Sequence, residues 1–332
     1  MPSLPFVTLD VFTTTPLLGN PLAIVHVPTD TQLTQEQKQK IAHEFNLSET
    51  VFVHGVSHLE NTTHLGDVPI NIFAPQREMS FAGHPTIGSA CHLLTTFLKP
   101  SSETTLLSCT LITKAGRIPA VFDTQTRRGR LEVPHAITVH SNASIPRDKA
   151  ATVLSISHLP PDSIIPNDVA GTGVALVSIV EDLAFILVRV TSLEVLGALP
   201  TSSSTSFKPR DFPGFENYKA AALTIYAYCI VEEGGSETQG TTKIRTRLIR
   251  PTWEDPATGS AASCLTGYLT LTAQPQTTDV RRFEVTQGVE MGRRSDIVLE
   301  VKAKTNEGSG PAIDKIWLEG TAVPVMNGTL TV

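Results

Sequence analysis

The stretch PTIGSACHLLTTFL (85–98) reads as an apolar helix entered through a proline and a Gly-Ser, and PATGSAASCLTGYL (256–269) reads the same way. Sliding the chain over itself by 171 residues superimposes the two with seven of fourteen positions identical. A match this short arises by chance in unrelated chains. Here the same strand–loop–helix setting surrounds each copy, and 332 residues exceed the length of a usual single domain. The pair predicts duplicated domains, each with one such helix, and helix N-termini that face each other across a cleft.

Outward from these helices, short β-like runs dominate. FVTLDVF, PLAIVHV, ETVFVHG and INIFA precede the first copy; LTIYAYCIV and KIRTRLI precede the second, and RRFEV and DIVLEVKA follow it. They are rich in Val, Ile, Thr and Phe and are punctuated by Gly, Pro, Asn or Asp. A further helix is predicted over 34–46, where Thr34 and Gln37 have capping-box spacing and Ile41, Ala42 and Phe45 share a face. Shorter helical patterns lie at 147–157 and 191–198. The reading is α+β rather than alternating βα units. The segment 124–146 is the best domain crossing, and 201–218 and 233–242 read as surface elaborations.

A net charge of −6 with no clustered Lys/Arg run argues against nucleic-acid or membrane-surface partners. The start MPSLPFVTLD lacks the features of a secretory signal, and the most apolar run carries Glu181 and Asp182 in its middle. A soluble, cytoplasmic protein is expected. Cys91, Cys109, Cys229 and Cys264 are scattered without a CxxC pair, the histidines show no ligand spacing, and no GxGxxG or P-loop is present. No metal or cofactor is therefore expected, and any chemistry must come from ordinary side chains.

Each helix start offers unpaired backbone N–H groups and the positive end of the helix dipole, a setting suited to a small carboxylate or a developing enolate. The plain alternative makes Pro85 and Pro256 good first-turn residues with Ser89 and Ser260 beside them; the repetition favours a site. His84, between Gly83 and Pro85, is placed to donate a hydrogen bond or move a proton there. Asp255 is equally an N-terminal cap or an acceptor opposite His84. Glu49, in NLSETVFV, is either a partly desolvated proton shuttle or an exposed turn glutamate, and its position alone favours the latter.

Together the motifs LDVFTTTPLLGNPLAIV (9–25), NLSETVFV (46–53), FAPQREMSFAGHPTIGSA (73–90), RLIRPTWEDPATGSA (247–261) and LEGTAVPV (318–325) resemble the PhzF-type isomerase family, named for phenazine biosynthesis, over nearly the whole chain. The resemblance implies a diaminopimelate-epimerase-like fold of two pseudo-symmetric domains. Each would be a curved β-sheet or barrel wrapped around a central helix, with the active site between them. It implies domains of 1–128, closed by a returning strand at about 320–332, and 129–319. It also implies a homodimer that needs no cofactor or metal. By the same resemblance Glu49 is the general acid/base, His84 and Asp255 are further catalytic groups, and Gly83, Gly259, Ser260 and Asn20 bind substrate. Related epimerases and racemases use a cysteine at each helix start; the equivalent positions here, Ala82 and Thr258, supply no thiolate.

The expected function is a cofactor-independent isomerase that moves a proton between carbons of a small unsaturated or carbonyl-activated carboxylic acid, with Glu49 as acid/base. The alternatives are a non-catalytic binding protein for an acidic metabolite and an epimerase using Glu49 and Asp255 as opposed bases.

Overall fold

Alternation of apolar and polar residues drives most of the chain into strands, since every second side chain meets the core. The computed structural model describes residues 3–99, 105–140, 145–168, 171, 173–181, 183–202, 207–209, 212, 223–234, 240–250, 252–273, 279–306 and 310–332. Most of the elaborations expected at 201–218 and 233–242 lie outside the described residues. The chain divides into two units, Met1–Glu132 with Trp317–Val332, and Val133–Ile316.

The first unit contains β1 (Ser3–Val11), β2 (Asn20–Val27), β3 (Thr50–His54), β4 (His64–Ala74), β5 (Arg77–Met79), β6 (Leu106–Thr113), β7 (Gly116–Asp123) and β8 (Arg128–Glu132). Helix α1 (Gln35–Phe45) lies between β2 and β3, and α2 (Gly83–Phe97) between β5 and β6. Along the sheet the pairings are β1–β2 antiparallel, β2–β3 parallel, β3–β4 antiparallel, β4–β6 parallel and β6–β7 antiparallel. Strand β5 folds back antiparallel on β4 and leads into α2.

The second unit holds β9 (Gly173–Val180), β10 (Leu183–Val190), β11 (Thr224–Glu232), β12 (Thr242–Ile249), β13 (Glu254–Asp255), β14 (Val280–Gln287) and β15 (Ser295–Asn306). Its helices are α3 (Arg147–Val153), α4 (Leu193–Gly197) and α5 (Gly259–Leu271). The pairings run β9–β10 antiparallel, β10–β11 parallel, β11–β12 antiparallel, β12–β14 parallel and β14–β15 antiparallel, with β13 folded back on β12. This is the same series as in the first unit. Helices α4 and α5 also occupy the connections that α1 and α2 occupy there, so the duplication extends to every pairing of this series.

Strand β16 (Gly310–Gly320) pairs through Trp317–Gly320 with β8, and after Thr321 the chain continues as β17 (Ala322–Thr331), which pairs along β1. The sheet of the first unit thus runs from β17 through β1 to β8 and back onto the strand that feeds β17. It contacts α2 from β1, β2, β3, β4, β6, β7, β8 and β17. A helix so enclosed turns most of its length to the sheet, which is why Ile87, Ala90, Cys91, Leu93 and Leu94 are all buried while only Thr95 and Thr96 in its last turn are exposed. Helix α5 is equally apolar and packs on β9, β10, β14 and β15. Its hydroxyls are tolerated because Ser263, Thr266 and Thr270 donate to the carbonyls of Gly259, Ala262 and Thr266, one turn back.

Helix α1 matches its sequence signature: Thr34 and Gln37 form a reciprocal capping box, and Ile41 and Ala42 pack with Phe52 and Phe73. Asn46 ends it in the left-handed region at φ 49°, releasing the chain towards β3. Among the described residues no helix is long and apolar enough to cross a membrane.

Candidate active site

In the first unit, parallel pairing of β2 and β3 sets their N-terminal ends side by side, with Asn20 opening β2 and Glu49 immediately before β3. Asn20 is buried, and its Oδ1 accepts a hydrogen bond from Ser48 Oγ at 3.4 Å, tying the β2 end to the segment that carries Glu49. The β5-to-α2 turn then delivers Gly83 and His84 as the first two residues of α2, after Ala82 as N-cap. His84 Nδ1 lies 3.3 Å from Glu49 Oε2, with the two side chains 5% and 18% exposed. Position alone favours an exposed turn glutamate at 49. The fold instead presses it against a buried imidazole while leaving part of the carboxylate accessible, an arrangement able to hold a proton and pass it on.

In the second unit, β13 pairs with β12 and ends in Glu254 and Asp255, whose side chains leave opposite faces of the strand. Glu254 accepts a bidentate pair from Arg247, at 2.8 Å from Nε and 2.7 Å from Nη2. Arg247 is only 1% exposed, and its Nη1 also donates to the carbonyls of Leu196 and Leu199 at the end of α4. Burying this pair is tolerable because the guanidinium finds acceptors on several sides. Asp255, also buried, accepts from Thr258 Oγ1 at 2.5 Å. Gly259 and Ser260 follow as the first two residues of α5.

The two helix starts do not align as the sequence repeat suggests. The N-caps are Ala82 and Thr258, a step of 176 residues rather than 171. In this register His84 corresponds to Ser260, Gly83 to Gly259, and Asp255 to Met79 at the end of β5. Pro85 is the third residue of α2, whereas Pro256 lies outside α5 altogether. Ser89 falls in the second turn of α2, fully buried, with no partner for its hydroxyl among the described residues. It is therefore a core residue and Ser260 a helix-start residue. The Pro, Gly and Ser identities reflect shared composition at two different depths of the helix.

The helices also differ in capping. Thr34 and Ser192 accept from first-turn amides of α1 and α4, but neither Ala82 nor Thr258 provides a side-chain cap. Thr258 has a hydroxyl able to cap and spends it on Asp255 instead. The starts of α2 and α5 thus carry no side-chain cap, the setting in which a helix N-terminus can receive an anion. The cysteines stand apart from both starts and are all buried; burial pushes the Cys91 and Cys109 thiols up to about 12 and raises Cys264 as well. Among the described residues no group of three or more His, Cys, Asp or Glu is placed to hold a metal ion.

Two residues that the sequence does not single out brace the segment before α5. Arg247 stands in a quoted motif but reads as an ordinary strand cation. Gln287 donates to Asp255 O at 2.8 Å and accepts from Thr258 N–H at 3.2 Å. A full set of bonds to a turn thirty residues away leaves no spacing pattern to detect.

The family model PhzC-PhzF, described as phenazine biosynthesis-like protein, matches residues 9–328. A protein of Mesorhizobium japonicum named an uncharacterized isomerase is 30% identical, with 98% of each chain covered. A trans-2,3-dihydro-3-hydroxyanthranilate isomerase of Pseudomonas chlororaphis is 28% identical, again with 98% of each chain covered. Among solved structures, a PhzF-family phenazine biosynthesis protein of Bacillus anthracis superimposes with a TM-score of 0.74 at 23% identity, covering 100% of both chains.

Proposed function

The chain belongs to the phenazine biosynthesis-like family, and on that premise we propose that it is an isomerase that moves a proton between two carbons of a small unsaturated carboxylic acid, with Glu49 carrying the proton. The single observation that carries this reading is the Glu49–His84 pair at the start of α2, a carboxylate held against an imidazole at 3.3 Å yet still reachable. A shuttle must both take a proton from carbon and return it, so its two protonation states need comparable support. His84 supplies that support by donating to the carboxylate or sharing its proton. The start of α2 and the start of α5 each lack a side-chain cap and each suit a carboxylate, and Asn20 ties the strand end on which Glu49 stands. By the family resemblance, Asp255 is proposed as an acceptor for a polar group of the substrate.

In the named Pseudomonas relative the substrate is trans-2,3-dihydro-3-hydroxyanthranilate, and that acid is the first probe to offer this chain. Replacing Glu49 by Gln keeps shape and removes the shuttle; turnover is expected to fall by about 10²–10⁴-fold with substrate affinity nearly unchanged. In D₂O the wild-type protein should place deuterium on carbon in the probe or in another acid from a metabolite pool, and Glu49→Gln should not. Full deuterium incorporation by the variant would remove Glu49 from the mechanism. Tight binding without exchange by either protein would leave an acid-binding function.

A further inference from the structure

We infer that Gln287 is a positioning residue that holds Asp255 as a hydrogen-bond acceptor through Thr258; the inference deepens the proposed function and rests on it for the role of Asp255. Gln287 ends β14 with no exposed surface and reaches the turn between β13 and α5. Its Oε1 accepts from Thr258 N–H at 3.2 Å and from the Tyr226 hydroxyl at 3.0 Å. Its Nε2 donates to Asp255 O at 2.8 Å and to Thr258 Oγ1 at 3.2 Å. The side-chain amide can point only one way. Turned over, it would set a donor against the Thr258 N–H and an acceptor against the Asp255 carbonyl, and neither backbone group can change its role.

That orientation propagates. Thr258 Oγ1 has one proton; because it accepts from Gln287, it donates to Asp255 Oδ2, at 2.5 Å. The order of donors therefore runs from Gln287 to Thr258 to Asp255 and ends on a carboxylate oxygen that accepts, a short bond of the charge-assisted kind. Behind Gln287, burial keeps the Tyr226 hydroxyl protonated by raising its pKa, so that it stays a donor. Thr246 Oγ1 lies 3.0 Å from that hydroxyl and completes the chain. The next residue presses on the same turn: Gly288 has φ +74°, and a Cβ there would stand 2.6 Å from the Pro256 carbonyl. Gln287 and Gly288 together form a fixed wall against which the Asp255–Thr258 turn is set.

Two variants separate the halves of the amide. Gln287→Leu removes all four bonds, and Gln287→Glu keeps the acceptors but can donate only while its new carboxyl is protonated. Backbone hydrogen exchange of the unliganded protein is read first: the Thr258 amide should exchange at least about tenfold faster in Gln287→Leu and remain protected in Gln287→Glu. With trans-2,3-dihydro-3-hydroxyanthranilate as probe, kcat of Gln287→Leu should fall about tenfold or more with KM little changed. The ratio of Gln287→Glu to wild-type kcat should decline as pH rises through ionisation of the introduced carboxyl, because the ionised oxygen repels the Asp255 carbonyl. A merely structural glutamine would not produce that pH-dependent ratio.

Unchanged Thr258 exchange in Gln287→Leu overturns the inference, and so does faster exchange with kcat intact or a ratio that is flat in pH. The exchange readout needs no substrate. If wild type does not turn over the probe, the proposed substrate class fails while exchange still decides whether Gln287 holds the turn.

Discussion

The same connection, a short strand folded back on a long one and then a buried helix, ends in two different kinds of chemistry. At the start of α2 the ionisable groups meet each other: Glu49 and His84 come from different elements, and the carboxylate keeps some access to solvent. At the start of α5 they are tied to the scaffold. Glu254 is locked by Arg247, and Asp255 is held by Thr258 with Gln287 behind it. Identical topology thus sets where a site lies, because the helix start always falls at the same corner of the sheet. The side chains then decide whether the corner pairs two titratable groups from different elements or bonds its carboxylates to the neighbouring strand and turn. A proton shuttle benefits from the first kind of setting and a substrate anchor from the second.

The contrast can be broken most severely at Arg247. Arg247→Met leaves Glu254 as an uncompensated buried carboxylate and frees the carbonyls at the end of α4. This should destabilise the second unit by about 3–5 kcal/mol. Because a chain of two units need not unfold in one step, amide exchange resolved along the sequence is the suitable measurement. Loss confined to residues 133–316 would sharpen the contrast. Equal loss in both units would show that their stabilities are not separable.

Acid should act the other way and strike the first unit. His26, His54 and His92 lie there, all lowered chiefly by burial, with His92 down to about 3 and His26 beside it adding to that shift. In the second unit burial lowers His140. The unfolded chain takes up these protons near pH 6.5, whereas the folded chain resists until lower pH. Stability is therefore complete above about 6.5 and is lost as pH falls from there towards 3, at up to about 1.4 kcal/mol per pH unit for His92. Urea unfolding followed by exchange across this range should show the first unit weakening more steeply, and His92→Leu should flatten its slope.

The smallest effect is expected at the surface. Arg117 and Asp67 form two short hydrogen bonds, 2.6 and 2.7 Å, yet both side chains are largely in solvent. Arg117→Ala should leave stability nearly unchanged and should matter less still in high salt. Set against Arg247→Met, it tests whether burial rather than bond geometry separates the two ion pairs. A comparable loss from Arg117→Ala in a urea melt would refute that.

Local signals were legible because they are repeated or short-range. Alternation marked the strands, Thr34 and Gln37 marked the start of α1, and recurring apolar residues marked α2 and α5 as helices, while their enclosure by sheet was implied by the family resemblance. Five ordered motifs carried the family resemblance and drew Glu49, His84 and Asp255 into one candidate set. The repeat itself misled in register: matching the Gly-Ser of 88–89 to that of 259–260 rewards identity, whereas the sheet fixes the helix start by where β5 and β13 end.

What the sequence alone determined is therefore the α+β class and the duplicated pattern of strands and helices, since these depend on composition and periodicity along the chain; Glu49, His84 and Asp255 were drawn together by the family resemblance and not by spacing. Tertiary structure decided which of those residues meet and how each is held. Glu49 became a half-buried partner of His84 only when α2 was packed under β3, and Asp255 became a fixed acceptor only when the end of β14 brought Gln287 to its turn. A hydrogen bond between residues far apart has no period, and the sequence shows it only after the chain has folded.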